Sequence, residues 1–166
     1  LALTIQKEYG GQGINLVDYL KVIEQTARGD ESTALSLGWH LGYLLEQSES
    51  RTWSEECFAK VCELVVKEKA LLNAASSERA TGSPSRGGVP TTTAIKVENG
   101  WRINGEKAFT SMAVALDYAL VTVDVNKSGK IGLALVDTQL DGVQVKETWD
   151  SISMRGTKSD DLILQD

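Results

Sequence analysis

Thr91-Thr92-Thr93-Ala94-Ile95-Lys96-Val97-Glu98-Asn99-Gly100-Trp101-Arg102-Ile103 is the stretch that decides the fold. Thr91, Thr93, Ile95 and Val97 alternate with their neighbours, Asn99-Gly100 interrupts, and Trp101 and Ile103 resume the alternation. Period two is a strand pattern. An Asn-Gly pair between two such runs signals a hairpin, because both residues accept positive φ in a type I′ turn. The pattern continues downstream. Residues 120–125, the turn Asn126-Lys127-Ser128-Gly129 and residues 131–136 read as a second hairpin. Val143 and Val145 begin another strand, and residues 161–165 form one more.

Upstream the period is helical. Leu16, Leu20, Ile23 and Ala27 lie on one stripe, with Asn15 as N-cap and Gly29 as stop. A second helix from about Ser32 carries Ala34, Leu37, Leu41, Leu44 and Leu45 on one face. A third opens at Thr52-Trp53-Ser54-Glu55, a capping-box pattern, and shows Phe58, Val61, Cys62, Val65 and Val66 at helical spacing. Lys67 and Lys69 suit its negative pole. Helices first and an antiparallel sheet second predict a segregated α+β fold. Between the halves, residues 79–90 form a Gly/Ser/Pro-rich loop, and loops of that length are more often functional than idle.

Composition narrows the function. A net charge of −6 argues against a nucleic-acid footprint, which needs a basic stripe. The apolar runs are too short for a membrane span of about 20 residues. The chain opens on Leu1 and stops after an apolar strand, so both ends read as cuts in a longer protein. Cys57 and Cys62 fall on different helix faces with no ligand set around them, which reads as two buried thiols in a reducing compartment, and no metal is expected. His40 has no nucleophile pattern nearby and reads as structural. Glu55, Glu56, Asp160 and Asp161 read as caps and solvated faces. Leu1 to Ile5 as a strand before Gly11-Gln12-Gly13 would suggest a dinucleotide fingerprint. Leu16 stands where its third glycine belongs, however, and no βαβ pattern follows, so a turn into a capped helix is the better reading.

Four segments, in order, resemble the acyl-CoA dehydrogenase family. Glu8-Tyr9-Gly10-Gly11-Gln12-Gly13 is similar to its Pro-x-x-Tyr-Gly-Gly-x-Gly, followed by Ile23-Glu24 and residues 27–32 like its Glu-x-x-Ala-x-x-Asp-x-Ser. Ala75-Ser76-Ser77-Glu78 and Gly82-Ser83 are similar to its Thr-Glu-Pro-x-x-Gly-Ser-Asp loop. Residues 101–111 match Tyr-x-Ile-Asn-Gly-x-Lys-x-Trp-Ile-Thr/Ser, and Met154-Arg155-Gly156-Thr157-Lys158-Ser159 matches Gly-x-Arg-x-Ser-x-Thr. The fold this implies is an amino-terminal helical domain, residues 1–69, then an antiparallel β-barrel-like middle domain, residues 70–166, without the family's carboxy-terminal bundle.

The resemblance also implies FAD beside an acyl-CoA thioester. By position, Ser77 stands where a hydroxyl bonds the pyrimidine side of the flavin, and Ser76 where a backbone group meets the same edge. Phe109 stands where an aromatic, usually Trp, packs on the ring. Ser111 stands where a hydroxyl reaches the reactive nitrogen side, and Thr110 lies between them. Ser83 matches the serine at the CoA end of the substrate. Each has a plainer alternative: serines in a turn bond their own backbone, and an aromatic in a strand is core. The family's catalytic carboxylate lies in or beside the bundle, so no residue of this chain is expected to be the base. Arg79, Pro84, Phe109 and Met112 depart from the pattern, which weakens the CoA substrate more than the cofactor. That keeps open a flavin-dependent monooxygenase on the same scaffold, taking reduced flavin and oxygen to a non-CoA substrate. The resemblance further implies a homodimer or homotetramer, an electron-transferring flavoprotein as acceptor, and a cytoplasmic or mitochondrial-matrix location.

Overall fold

The computed structural model describes residues 1–166, which separate into two compact units, Leu1–Leu71 and Leu72–Asp166. In the first, α1 (Leu16–Ala27) starts where Asn15 accepts the Asp18 amide, as the sequence suggested. α2 (Glu31–Ser50) is capped by Asp30 and buries Ala34, Leu41, Leu44 and Leu45. Two of its glycines admit the neighbouring helix: Tyr19 Oη donates to the Gly38 carbonyl at 3.0 Å, and a Cβ on Gly42 would meet that hydroxyl at 2.9 Å. α3 (Glu55–Lys67) buries Phe58, Val61, Cys62 and Val65. No helix is long and apolar enough to cross a membrane.

Several local expectations change here. The cap of α3 is Ser54, which accepts the Cys57 amide, so Thr52 forms no capping box with Glu55. Cys57 is exposed and only Cys62 is buried, where desolvation pushes its thiol up to about 11. Leu16 and Leu20 are half exposed, because α1 has no fully buried residue. Leu1 to Ile5 is not a strand. It is an irregular segment against which the glycine loop folds, Gly13 N–H donating to the Ile5 carbonyl at 2.8 Å. His40 is fully buried with Nε2 3.2 Å from the Leu1 carbonyl, a structural placement.

The second unit is a seven-stranded sheet: β1 (Leu72–Ala75), β2 (Thr93–Val97), β3 (Gly100–Thr110), β4 (Tyr118–Val125), β5 (Lys130–Asp137), β6 (Val143–Lys146) and β7 (Asp160–Leu164). The spatial order is β1-β4-β2-β3-β7-β6, with β5 on the far edge of β4. The expectation of a purely antiparallel sheet is corrected: β1 and β2 both run parallel to β4 and share one edge of it. β1 covers Tyr118 to Val121 and β2 covers Asp124 and Val125, leaving Thr122 and Val123 opposite a gap. The chain leaves that edge at Ser76 and rejoins it at Thr92, whose carbonyl accepts the Asp124 amide. β1 and β2 do not pair with each other, so the loop of residues 76–92 is an excursion between two points on one edge of β4.

Both hairpins form, with altered turns. Val97 pairs with Gly100, so Glu98 and Asn99 make the first turn, and Gly100 alone takes a positive φ, 147°. The left-handed pair is instead Asn126 and Lys127 in the second hairpin, both at φ 54°. The core joins Ala75, Ala94, Val121, Val123, Leu162 and Leu164.

Candidate functional site

Two of the segments singled out by motif meet at the ends of β1 and β3. The Ala108 amide donates to the Ser77 carbonyl at 2.8 Å, and Thr122 Oγ1 donates to the Ser76 carbonyl at 3.2 Å. Carbonyls of both serines are therefore held by neighbouring strands, while neither hydroxyl takes a partner within the chain. The expectation that the pair bonds its own backbone is not met.

β3 is bulged where it passes this point. Its register against β7 shifts between Lys107 and Thr110, and Phe109 takes φ 59°. A bulge re-aims a side chain, and a non-glycine residue at positive φ carries strain of about 1–3 kcal/mol that the surroundings must hold. Here the result is a phenylalanine 54% exposed between the buried Ala108 and Thr110, which the plain core reading does not predict. Its ring meets Trp149 edge-on at 6.4 Å between centroids, and the Arg79 guanidinium lies 5.3 Å from its centroid. Thr110 is fully buried, its hydroxyl without a partner in the chain. Ser111 is also buried; its carbonyl accepts from Asn73 Nδ2 at 3.1 Å and its Oγ lies 2.9 Å from Ser159 Oγ.

Ser83 is separate from this set in its bonding. It caps the short turn Pro84–Arg86, with Oγ 2.8 Å from Ser85 Oγ.

The loop itself is organised by a residue that sequence reading passed over. Glu78 accepts from the amide and hydroxyl of Thr91, the amide and hydroxyl of Thr92, Thr81 Oγ1 and Lys107 Nζ. Lys107 also reaches Thr122 Oγ1 at 3.3 Å, so the pair occupies the gap between β1 and β2. Burial pushes the Glu78 carboxyl up, but Lys107, Thr91 and Thr92 outweigh it and hold it well below the usual carboxylate range. Asp160 and Asp161 are corrections: they are buried, not solvated. Asp160 accepts the Thr148 and Trp149 amides, each at 2.8 Å, and Asp161 takes a two-pronged bond from Arg79. Glu78 and Lys107 stood inside the quoted motifs, but nothing local showed that they meet.

A cavity of about 580 Å³ elsewhere on the sheet is lined by Trp101, Ile103, Val123, Leu133 and Leu135 and includes none of these residues. It is mostly apolar, with Tyr118 and Asp137 as its polar lining side chains besides the Trp101 indole, and it holds none of the candidate flavin-side residues. The serine and phenylalanine cluster is the better candidate. An exposed aromatic beside free hydroxyls suits a flat ring system with polar edges, so the residues present fit a flavin.

Three helices followed by a curled mixed sheet define a segregated α+β protein of the acyl-CoA dehydrogenase fold. The acyl-CoA dehydrogenase of Geobacillus kaustophilus shares that fold at TM-score 0.83, over 100% of this chain and 44% of its own, with 19% identity. The chain belongs to the acyl-CoA dehydrogenase family: the family's N-terminal domain matches residues 1–62 and its middle domain residues 73–166. It is 44% identical over 165 residues to YdbM of Bacillus subtilis (strain 168), an acyl-CoA dehydrogenase by name, across 99% of this chain and 43% of that protein. The dibenzothiophene monooxygenase TdsC of Paenibacillus sp. A11-2, solved with FMN and indole, matches at TM-score 0.84 and 30% identity, over 99% of this chain and 40% of its own. The chain thus spans about two fifths of the length of these relatives.

Proposed function

We propose that the whole protein is an FAD-dependent acyl-CoA dehydrogenase, with residues 1–69 as its helical domain and residues 70–166 as the β-domain beside the flavin. The observation that carries this reading is the bond from the Ala108 amide to the Ser77 carbonyl, which joins the two motifs that would flank one ring. Bound FAD would accept the hydride that leaves the substrate's β-carbon as the α-proton is removed. In this reading Ser77 donates to the pyrimidine edge, where charge builds on reduction, and the Ser76 backbone meets the same edge. Phe109 packs on the ring, and the Thr110 backbone carries the chain to Ser111, whose hydroxyl faces the reactive side. Ser83 meets the CoA end of the substrate. The base lies outside these residues. The assembly is a homodimer or homotetramer, cytoplasmic, passing electrons to an electron-transferring flavoprotein.

One observation favours a second reading, a flavin-dependent monooxygenase. Arg79 replaces the family's proline and lies over Phe109, so the loop beside the flavin-side motifs departs from the dehydrogenase pattern. Anaerobic mixing of the whole protein with straight-chain acyl-CoA esters tests both. Bleaching of bound flavin supports the dehydrogenase. No bleaching with any ester, together with incorporation of an oxygen atom from O2 into an added aromatic substrate such as indole when reduced flavin is supplied, supports the monooxygenase and overturns the first reading.

A further inference from the structure

Ser111 is the outer end of a run of three buried hydroxyls. Its Oγ lies 2.9 Å from Ser159 Oγ, which lies 2.8 Å from Thr157 Oγ1, and Thr157 donates to the Met154 carbonyl at 2.9 Å. The three residues are 7%, 5% and 1% exposed, so no bulk water competes for these bonds. Each hydroxyl has one proton, which gives the run a direction. With Thr157 donating to Met154, Ser159 donates to Thr157 and Ser111 to Ser159, and the outer side of Ser111 offers a lone pair. The opposite direction is open as well, with the Thr157 proton turned from Met154 to Ser159. The Met154 carbonyl also accepts the Thr157 amide at 3.1 Å and the Trp149 indole N–H at 3.0 Å, enough for its two lone pairs. When the three hydroxyls turn together, that carbonyl stays satisfied and Ser111 offers a proton outward.

We propose that Ser159 and Thr157 are positioning residues that let Ser111 present either a proton or a lone pair to the edge of a bound flavin. The inference rests on the flavin reading above. The central ring of oxidised flavin carries a nitrogen that accepts a hydrogen bond, and two-electron reduction turns it into an N–H that donates. A hydroxyl with a partner behind it in both orientations serves both states. The two states depend on Ser159 unequally. To accept from the reduced ring, Ser111 must send its own proton inward, and without Ser159 that buried proton has no acceptor. To donate to the oxidised ring, Ser111 gives up only a bond to its lone pair. Losing Ser159 therefore weakens the reduced complex more.

The test is the potential of flavin bound to the whole protein. Ser159→Ala is expected to bind oxidised flavin nearly as the wild type does and reduced flavin about tenfold more weakly by comparison. For a two-electron couple that is a midpoint potential lower by about 30 mV. Ser159→Thr keeps a hydroxyl and is expected to keep the potential. Thr157→Val preserves shape, cuts the run one step further in, and is expected to lower the potential by less; it also decides the matter if Ser159→Ala does not fold. An unmoved potential in the alanine and valine variants, or an equal drop in Ser159→Thr and Ser159→Ala, overturns the proposal. Wild-type protein that binds no flavin overturns instead the reading beneath it.

Discussion

Glu78 Oε1 and Lys107 Nζ meet at 2.7 Å with side chains 3% and 0% exposed, joining the loop of residues 76–92 to β3 where the edge of β4 is otherwise uncovered. The two partners are supported unequally. Glu78 has five further donors, whereas Lys107 has only the Thr122 hydroxyl.

That inequality sets the first expectation. Glu78→Ala leaves a buried ammonium and four backbone and side-chain donors of Thr91 and Thr92 without their acceptor, and should cost roughly 3–5 kcal/mol. Lys107→Met leaves Glu78 with its other donors and should cost clearly less. Urea denaturation of both variants gives the order, and equal losses would mean that the ion pair alone carries the loop.

The same carboxylate predicts an acid limb. Its folded pKa lies below the ordinary 4.5, so its contribution is fully present above that value and is lost as pH falls towards the folded one. Asp160 acts with the same sign: burial raises it, and the Trp149 and Thr148 amides with Lys158 more than compensate, holding it below 3.8. Denaturation midpoints should be level near neutrality and decline below about pH 5. Lys107→Met should make that decline shallower, because it removes the strongest of the interactions that lower Glu78.

Arg79 should matter through Asp161. Its Nε and an amino nitrogen bond that carboxylate at 2.8 to 3.0 Å, and Asp161 is 1% exposed. Arg79→Ala strands a buried charge and should cost about 1–3 kcal/mol in thermal melts. Phe109→Leu, which removes the guanidinium's ring contact and the edge-on contact with Trp149 but leaves the ion pair, should cost less. The reverse order would show that the ring, not the ion pair, anchors Arg79.

Gly105 is held by close approach. A Cβ there would overlap Thr92, itself pinned by Glu78, and the backbone sits at φ 155°. Gly105→Ala should therefore destabilise by on the order of 2–4 kcal/mol. A wild-type melting temperature in this variant would show that the two strands can separate without penalty.

Residues 1–166 by themselves should hold FAD far more weakly than the whole protein. The ring would keep the wall from Ser76, Ser77 and Phe109 to Ser111, but the acidic chain has no complete glycine loop to cradle two phosphates. Too few contacts then remain after the cost of fixing the ligand. Flavin-fluorescence titration of both proteins is the measurement. Comparable affinities would mean that the cofactor site has been assigned to the wrong part of the protein.

The sequence by itself determined what depends on neighbours in the chain. The Asn15 cap, the stripe of Leu41, Leu44 and Leu45 in α2, and both hairpins follow from periods and turn residues spanning a few positions. So did the family, because its motifs are contiguous. Tertiary structure alone decided whatever depends on partners far apart. Nothing local shows that β1 and β2 run parallel along one edge of β4, since strand period is the same in either direction. Asp160 and Asp161 looked solvated because charge usually is; a distant arginine and two loop amides make their burial possible. Lys107 meets Glu78 across 29 positions and Ser111 meets Ser159 across 48, distances over which only the packed sheet can bring polar groups together away from water.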